Sequence, residues 1–211
     1  MDEILDSAIS KHRPADSESL ETTQEVEWVK ASQRGDTLAF NRLVLKWERS
    51  VYNLNLRMLQ DPDEAAEVTQ DVFLSAFQAI RRFQHTAKFS TWLYRIACNQ
   101  CLSRLRQRPQ AIHYSLDDGR PGNPVHQRLP AHDSHEELFL NEEQGTRVRQ
   151  ALVSLSPDQR AVVELKFFQE LTFEEIAEVV QIPVSTVKSR LYSGLEVLKT
   201  KLRKSLRAPG R

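Results

Sequence analysis

Two cysteines, no apolar stretch approaching the roughly 20 residues that span a bilayer, and a formal net charge of zero set the first limits on this 211-residue chain. The opening MDEILDSAISKHRPADSESLE has no basic start followed by an apolar core, so it does not read as a secretion signal. Those absences predict a cytoplasmic protein without membrane insertion. In a reducing compartment two cysteines seldom form a structural disulfide, so burial alone is expected to hold the fold. Apolar–polar alternation, the mark of a strand, is missing over any useful length. Also missing are a phosphate-cradling glycine loop, a nucleophile elbow and a catalytic carboxylate pair, which leaves no catalytic residue to nominate and no cofactor to expect. What remains, 40% hydrophobic and 27% charged, is the composition of a soluble globular protein.

Zero net charge would ordinarily argue against a nucleic-acid partner, but here the charges are sorted along the chain. From Arg81 to Arg108 there are seven basic residues (Arg81, Arg82, Lys88, Arg95, Arg104, Arg106, Arg108) and no acidic one. From Pro183 to Arg211 there are eight basic residues against Glu196 alone, about plus seven. Two separated basic patches suggest two separated DNA contacts. The balancing acid lies in the N-terminal segment, in Asp61 to Asp71 and in Asp117 to Glu143, which should face something other than DNA.

Apolar spacing organises the rest into an all-α chain of two small helical domains. Residues 1–23 are polar and unpatterned and read as a mobile tail. Residues 24–108 form a first domain: Val26 and Val29, then Phe40, Leu43, Val44 and Trp47, then Val51, Leu54 and Met58 fall at helical spacing, with Gly35-Asp36 as a break. Asp61-Pro62-Asp63-Glu64 is a helix start, with Asp61 as cap and Glu64 reaching back, and the helix should run to about Phe83. After the loop Gln84 to Lys88, another helix carries Phe89, Trp92, Leu93, Ile96, Ala97, Leu102 and Leu105. Residues 109–135 hold four prolines, two glycines and four histidines and read as a linker. Helical spacing resumes in a second domain, 136–207, which restarts after a cap at Ser156-Pro157-Asp158-Gln159.

The sharpest local signal is a helix-turn-helix. Thr172 caps a short amphipathic helix with Glu175 three residues on, and the spacing predicts that Ile176, Ala177 and Val180 are buried. Gln181-Ile182-Pro183-Val184 breaks it. A second helix opens with Val187 and Leu191 facing inward, which leaves Ser185, Thr186, Lys188, Ser189, Arg190 and Tyr192 outward as hydroxyls and cations suited to base edges and phosphates. An ordinary helical hairpin with a solvated basic face is the plainer alternative. Cys98-Asn99-Gln100-Cys101 has CxxC spacing but sits inside a helix pattern with no second pair, and His113, His126, His132 and His135 are irregularly spaced, so no metal site is expected.

At these residues the chain resembles a known family. SPDQRAVVELKFF followed by EEIAEVVQIPVSTVKSRL resembles region 4 of extracytoplasmic-function sigma factors, and DEAAEVTQDVFLSAFQAIRRF followed by KFSTWLYRIACNQCLSRLR resembles their region 2. The resemblance implies an alternative sigma factor that binds core RNA polymerase and promoter DNA, directs DNA melting without nucleotide hydrolysis of its own, and has an anti-sigma factor as a further partner. It implies that Glu67, Gln70 and Asp71 dock on the clamp helices of the largest polymerase subunit, where an acidic, amide-bearing face suits arginines.

For the minus-ten element the resemblance implies Gln84, His85, Thr86, Lys88, Phe89, Trp92, Arg95 and Asn99. The loop Gln84 to Lys88 would capture an unpaired base, Trp92 is either a wedge at the melted edge or a core aromatic, and Arg95, Asn99, Arg104, Arg106 and Arg108 would hold phosphates. Ser185 to Tyr192 would read the minus-thirty-five element. The acidic linker, with Asp117, Asp118 and Asp133, would mimic RNA in a polymerase channel. Three departures stand out: Glu67 where aspartate is common, Gln181 where a turn glycine is common, and Ser193-Gly194-Leu195 where many members carry arginines. The rival readings are a free-standing helix-turn-helix regulator, which predicts dimers on palindromic sites, and an adaptor that binds polymerase without reading DNA.

Overall fold

The computed structural model describes the backbone of residues 15–108 and 151–207, with side chains over 23–108 and 151–203. The linker, the histidines within it, residues 136–150 and the first part of the N-terminal segment lie outside the described residues. Every regular element described is helical.

Helix α1, Ala15–Gln33, begins inside the stretch that composition reads as a tail. It ends where Gly35 adopts φ of 98°, a left-handed conformation that a side chain would strain. Asp36 starts helix α2, Thr37–Leu59, by accepting from the Leu38 and Ala39 N–H groups at 2.9 and 3.1 Å. Its buried residues Phe40, Leu43, Val51, Leu54 and Met58 fall three, four, seven and eight apart, as one apolar stripe requires. Helix α3, Pro62–Ala79, has Asp61 as cap on the Glu64 N–H at 2.9 Å and proline in its first position. The expected reach of Glu64 back to the cap does not occur, because its carboxylate is taken by Arg108. A 3-10 turn, Ile80–Arg82, closes α3 earlier than the expected single helix. Helix α4, Phe89–Gln107, packs on α2 and α3.

Where α2, α3 and α4 meet, three buried polar groups form one relay. Asn55 donates from Nδ2 to Thr69 Oγ1 at 3.0 Å, Thr69 donates to the Ala65 carbonyl at 2.7 Å, and the Cys101 thiol donates to Asn55 Oδ1 at 3.1 Å. Each group is satisfied, so the relay fixes the register of three helices in an otherwise apolar core.

In the second domain helix α5, Pro157–Phe167, carries a complete capping box between Ser156 and Gln159. Helix α6, Phe173–Val180, carries another between Thr172 and Glu175. Helix α7 runs from Val184 to Arg207. The buried residues of α6 are Ile176, as expected, and Val179, while Ala177 and Val180, expected inside, are only half-buried. Gly194 sits where α7 crosses α5. A Cβ there would lie 3.4 Å from Val163 and 3.5 Å from Gln159, ordinary van der Waals contact, so packing does not by itself require the glycine in Ser193-Gly194-Leu195.

Gln181, at the helix-turn-helix corner, has φ of 54° and ψ of 47°. This is the left-handed conformation in which a side chain costs about 1 kcal/mol or more. Gln181→Gly should therefore raise the unfolding free energy by about 1 kcal/mol. Urea denaturation checks this, and an unchanged or lower midpoint would contradict it.

Candidate nucleic-acid interface

Helix α7 presents the surface that its spacing predicts. Val187 and Leu191 are buried, Ser185, Lys188 and Ser189 are exposed, Thr186 is half-buried and Tyr192 is 60% exposed. Two of these side chains are positioned by neighbouring helices. Lys188 Nζ lies 5.3 Å from the Phe173 ring centroid, a cation–π contact from α6. Arg190 pairs with Asp158 of α5 at 3.1 Å. Gln159 donates to Ser193 Oγ at 3.0 Å and steadies the same turn of α7.

The first domain offers a second surface, at a cleft of about 520 Å³ bounded by Arg82, Gln84, Thr86, Thr91, Trp92 and Arg95. Trp92 is half-buried and packs tilted on Phe83 and Phe89, at centroid separations of 5.1 and 5.6 Å, with one part left facing the cleft. Thr91 Oγ1 is buried without a hydrogen-bond partner. Asn99 is exposed on α4.

Several nominated residues stand elsewhere. Phe89 is 4% exposed and belongs to the core, as its edge contact with Phe83 at 6.1 Å requires, so no base can stack on it. His85, at φ of 56°, turns away from the cleft onto the Phe83 ring and the Gln33 amide. Lys88 is held by Glu175 of α6 at 2.9 Å. Arg104, nominated for phosphate, is divided between Glu67 at 3.0 Å and Asp71 at 3.3 Å, and Arg108 takes Glu64 and the Leu59 carbonyl. Arg81, Arg82, Arg95 and Arg106 make no ion pair among the described residues, and they keep the segment basic.

Glu67, Gln70 and Asp71 lie together on the exposed face of α3. The Arg104 hydrogen bond and charge hold the Glu67 carboxyl below its ordinary range. Leu74 and Phe77, 57% and 45% exposed, extend this face toward the end of the helix. They follow Gln70 and Asp71 at helical spacing, a signal that the apolar pattern of the core obscures.

The far wall of the cleft is formed by Ala177, Glu178 and Gln181, so α6 of the second domain sits against the loop of the first. Glu175 bridges them. Burial pushes its carboxyl up, but the Thr172 N–H and Lys88 together outweigh burial and hold it below its ordinary value. Deeper in the contact, Arg57 Nε donates to both carboxylate oxygens of Glu164 at 2.9 and 2.7 Å.

Among the described residues no three His, Cys, Asp or Glu side chains gather to hold a metal. Cys98 and Cys101 are both buried and reduced. Burial raises the Cys98 thiol well above its ordinary value and pushes Cys101 up to about 12.

These surfaces define an all-helical, two-domain DNA-binding protein: a helix-turn-helix with a polar basic recognition face, and a basic helix bundle with an aromatic-floored cleft. Two family models match: Sigma-70 region 2 over residues 43–109 and Sigma-70 region 4 over residues 146–198. The chain is 35% identical over 187 residues to the RNA polymerase sigma-H factor of Pseudomonas aeruginosa, covering 87% of this chain and 96% of the relative. It is 35% identical to the ECF RNA polymerase sigma factor SigW of Bacillus subtilis (83% and 95%) and 32% identical to the ECF RNA polymerase sigma-E factor of Escherichia coli (85% and 94%).

In fold it is similar to CnrH, solved in complex with the cytosolic domain of CnrY, at a TM-score of 0.63 and 21% identity over 86% of this chain and 98% of that one. It is also similar in fold to the sigma factor RpoE of Bartonella quintana, solved with the anti-sigma factor NepR, at a TM-score of 0.59 and 22% identity, covering 78% and 96%. The chain belongs to the sigma-70 family, in its extracytoplasmic-function group. It is an alternative sigma factor that works with core RNA polymerase in promoter recognition and transcription initiation.

Buried thiols whose ionisation is suppressed are poor nucleophiles, because the thiolate is the reactive form. At pH 8 the native protein should resist iodoacetamide, with both cysteines modified only after unfolding. Mass-spectrometric counting of adducts checks this, and rapid native labelling would contradict the buried placement.

Proposed function

We propose that the two surfaces divide promoter reading: Ser185, Thr186, Lys188, Ser189, Arg190 and Tyr192 contact the minus-thirty-five element, and the cleft of Gln84, Thr86, Trp92 and Arg95, with Asn99 beside it, takes the minus-ten strand. The observation that carries the first half is the α7 face, where hydroxyls, two cations and a 60% exposed tyrosine stand opposite buried Val187 and Leu191. Such a face suits a helix entering the major groove. In the cleft, Trp92 supplies a stacking plane and Arg95 a cation, groups an unstacked base needs. Trp92 serves there as a half-buried platform.

Glu67, Gln70 and Asp71 form the polymerase-docking face, extended by Leu74 and Phe77. Docking on the clamp helices of the largest subunit exchanges Arg104 for cations of the partner. An anti-sigma factor is a further partner, a reading supported by the RpoE of Bartonella quintana, similar in fold and solved with the anti-sigma factor NepR. The chain acts in the cytoplasm, on the polymerase, and promotes melting through binding energy rather than a catalytic step of its own. Among the described residues no helix is long and apolar enough to cross a membrane.

Purified chain added to core polymerase should produce specific starts on genomic DNA, and the absence of any would defeat the assignment. Lys188→Glu combined with Arg190→Glu should cut transcription from promoters that need the upstream element at least tenfold, while leaving core binding intact. That follows from about 1 to 3 kcal/mol per lost contact. If both promoter output and core binding survive, the adaptor reading is favoured instead.

Glu67→Ala with Asp71→Ala should weaken core binding by about tenfold, the scale of losing an interfacial charge contact. Fluorescence anisotropy with labelled chain measures it, and unchanged affinity would remove this face from the docking surface.

A further inference from the structure

Gln33 is the last residue of α1 and precedes the first residue matched to a sigma region. Its side chain is half-buried and reaches the 3-10 turn, which packs against α1. Nε2 donates to the Ile80 carbonyl at 3.2 Å and to the Phe83 carbonyl at 2.7 Å, and Oε1 lies 3.1 Å from His85 Nε2. One amide thus uses both of its N–H groups and its oxygen on the 3-10 turn and the loop that follow α3.

The orientation of this amide has one chemical solution. Reversing it would place its oxygen against two carbonyl oxygens and leave its nitrogen facing the imidazole, so the two carbonyls dictate where Oε1 points. Because Oε1 only accepts, His85 Nε2 must carry a hydrogen. His85 has φ of 56°, uncommon for a residue with a side chain, and its ring lies 4.8 Å from Phe83. The loop is therefore clamped with His85 outward, on the Gln33 side, while Gln84 and Thr86 on either side of it line the cleft. The clamp itself is anchored. Gly35 and the Asp36 cap fix the corner that follows α1, and the Gly35 Cα faces the Arg81 guanidinium, with an ideal Cβ 3.7 Å from Nη2.

We propose that Gln33 is a positioning residue for base selection: it holds the Gln84 to Lys88 loop in the shape that aims Gln84 and Thr86 at the captured minus-ten base. This rests on the assignment of that loop to the minus-ten strand. Gln33 itself touches no DNA, so its effect is on discrimination between bases more than on binding as such. His85 acts as the outer half of the same clamp.

The test uses holoenzyme assembled from core polymerase and full-length chain, on a promoter panel that varies the captured base over all four identities. Gln33→Met preserves size and removes all three polar contacts. It should flatten the ratio between best and worst base by about tenfold, with core affinity unchanged. Gln33→Glu keeps an acceptor for His85 but sets a carboxylate against the two carbonyls, and it should lose discrimination as well. Hydrogen exchange on the full chain supplies a readout independent of transcription: the Phe83 amide, which donates to the Ile80 carbonyl at 3.0 Å, should exchange at least fivefold faster in both variants, with α2 and α3 unchanged.

A uniform drop on all four promoters with faster exchange throughout the domain would reduce Gln33 to a packing residue and overturn the proposal. Wild-type discrimination in Gln33→Glu would also overturn it. Gln84→Ala with Thr86→Ala separates the two levels of the argument. If that pair alters base preference and Gln33→Met does not, the positioning role fails alone; if neither alters it, the minus-ten assignment of the loop fails.

Discussion

Glu164 is a carboxylate 1% exposed to solvent, and the arrangement of the two domains depends on how it is neutralised. Burial pushes its carboxyl above the ordinary value, and the opposing influences are Arg57 and the Gln169 amide, which donates at 3.2 Å. Arg57 reaches it from the other domain, with its guanidinium 4.3 Å from the Phe168 ring centroid. One turn earlier on α5, Arg160 is buried as well and gives its N–H groups to the carbonyls of Leu152, Val153 and Leu155 and, across the interface, to Met58 at 2.6 Å. A charge taken out of water is tolerated only when paired and hydrogen-bonded, and removing one partner leaves the other uncompensated. Two such charges on one helix make the seating of α5 on α2 highly specific. The position of α6 against the loop of the first domain follows, because α6 is carried by α5.

Much of the fold was legible because its signals are local. The caps at Asp61, Ser156 and Thr172, the proline-opened helices and the inward pair Val187 and Leu191 all lie within one or two turns, where spacing alone carries the information. The left-handed Gln181 could be read as a departure before its backbone angles were known. What could not be read depends on residues far apart in the chain. Nothing in AVVELKFF marks Glu164 as the partner of a residue 107 positions earlier, and its place among apolar neighbours is the one hint that it is buried. The tail was judged by its polar composition, which does not register that α1 begins at Ala15.

The candidate site divides along the same line. The exposed face of α7 was readable because a helix turns its side chains outward at a fixed period. The loop was readable only as a segment. Which of its residues face the cleft is set by the Gln33 amide and the left-handed His85, neither of which has a signature in the run QHTAK. Phe89 was misplaced because an aromatic beside a polar loop looks the same in sequence whether it serves a ligand or a core. The basic helix was correctly seen as a cluster of cations, but Glu64, Glu67 and Asp71 come from a neighbouring helix, and their approach to Arg104 and Arg108 is a tertiary fact.

That pairing changes the thermodynamics of any encounter with DNA. Lys88, Arg104, Arg108 and Arg190 each already face a carboxylate of the same chain. When a cation with a solvated counterion meets phosphate, the small ions set free make affinity fall steeply with salt. A cation that must first leave a carboxylate exchanges one fixed anion for another, and the abandoned carboxylate recruits a mobile cation in return. The net release is smaller for each such contact. The salt sensitivity of this protein on DNA is therefore governed less by its count of arginines than by the cations without a carboxylate partner among the described residues, Arg81, Arg82, Arg95, Arg106, Lys188, Lys201 and Arg203 among them.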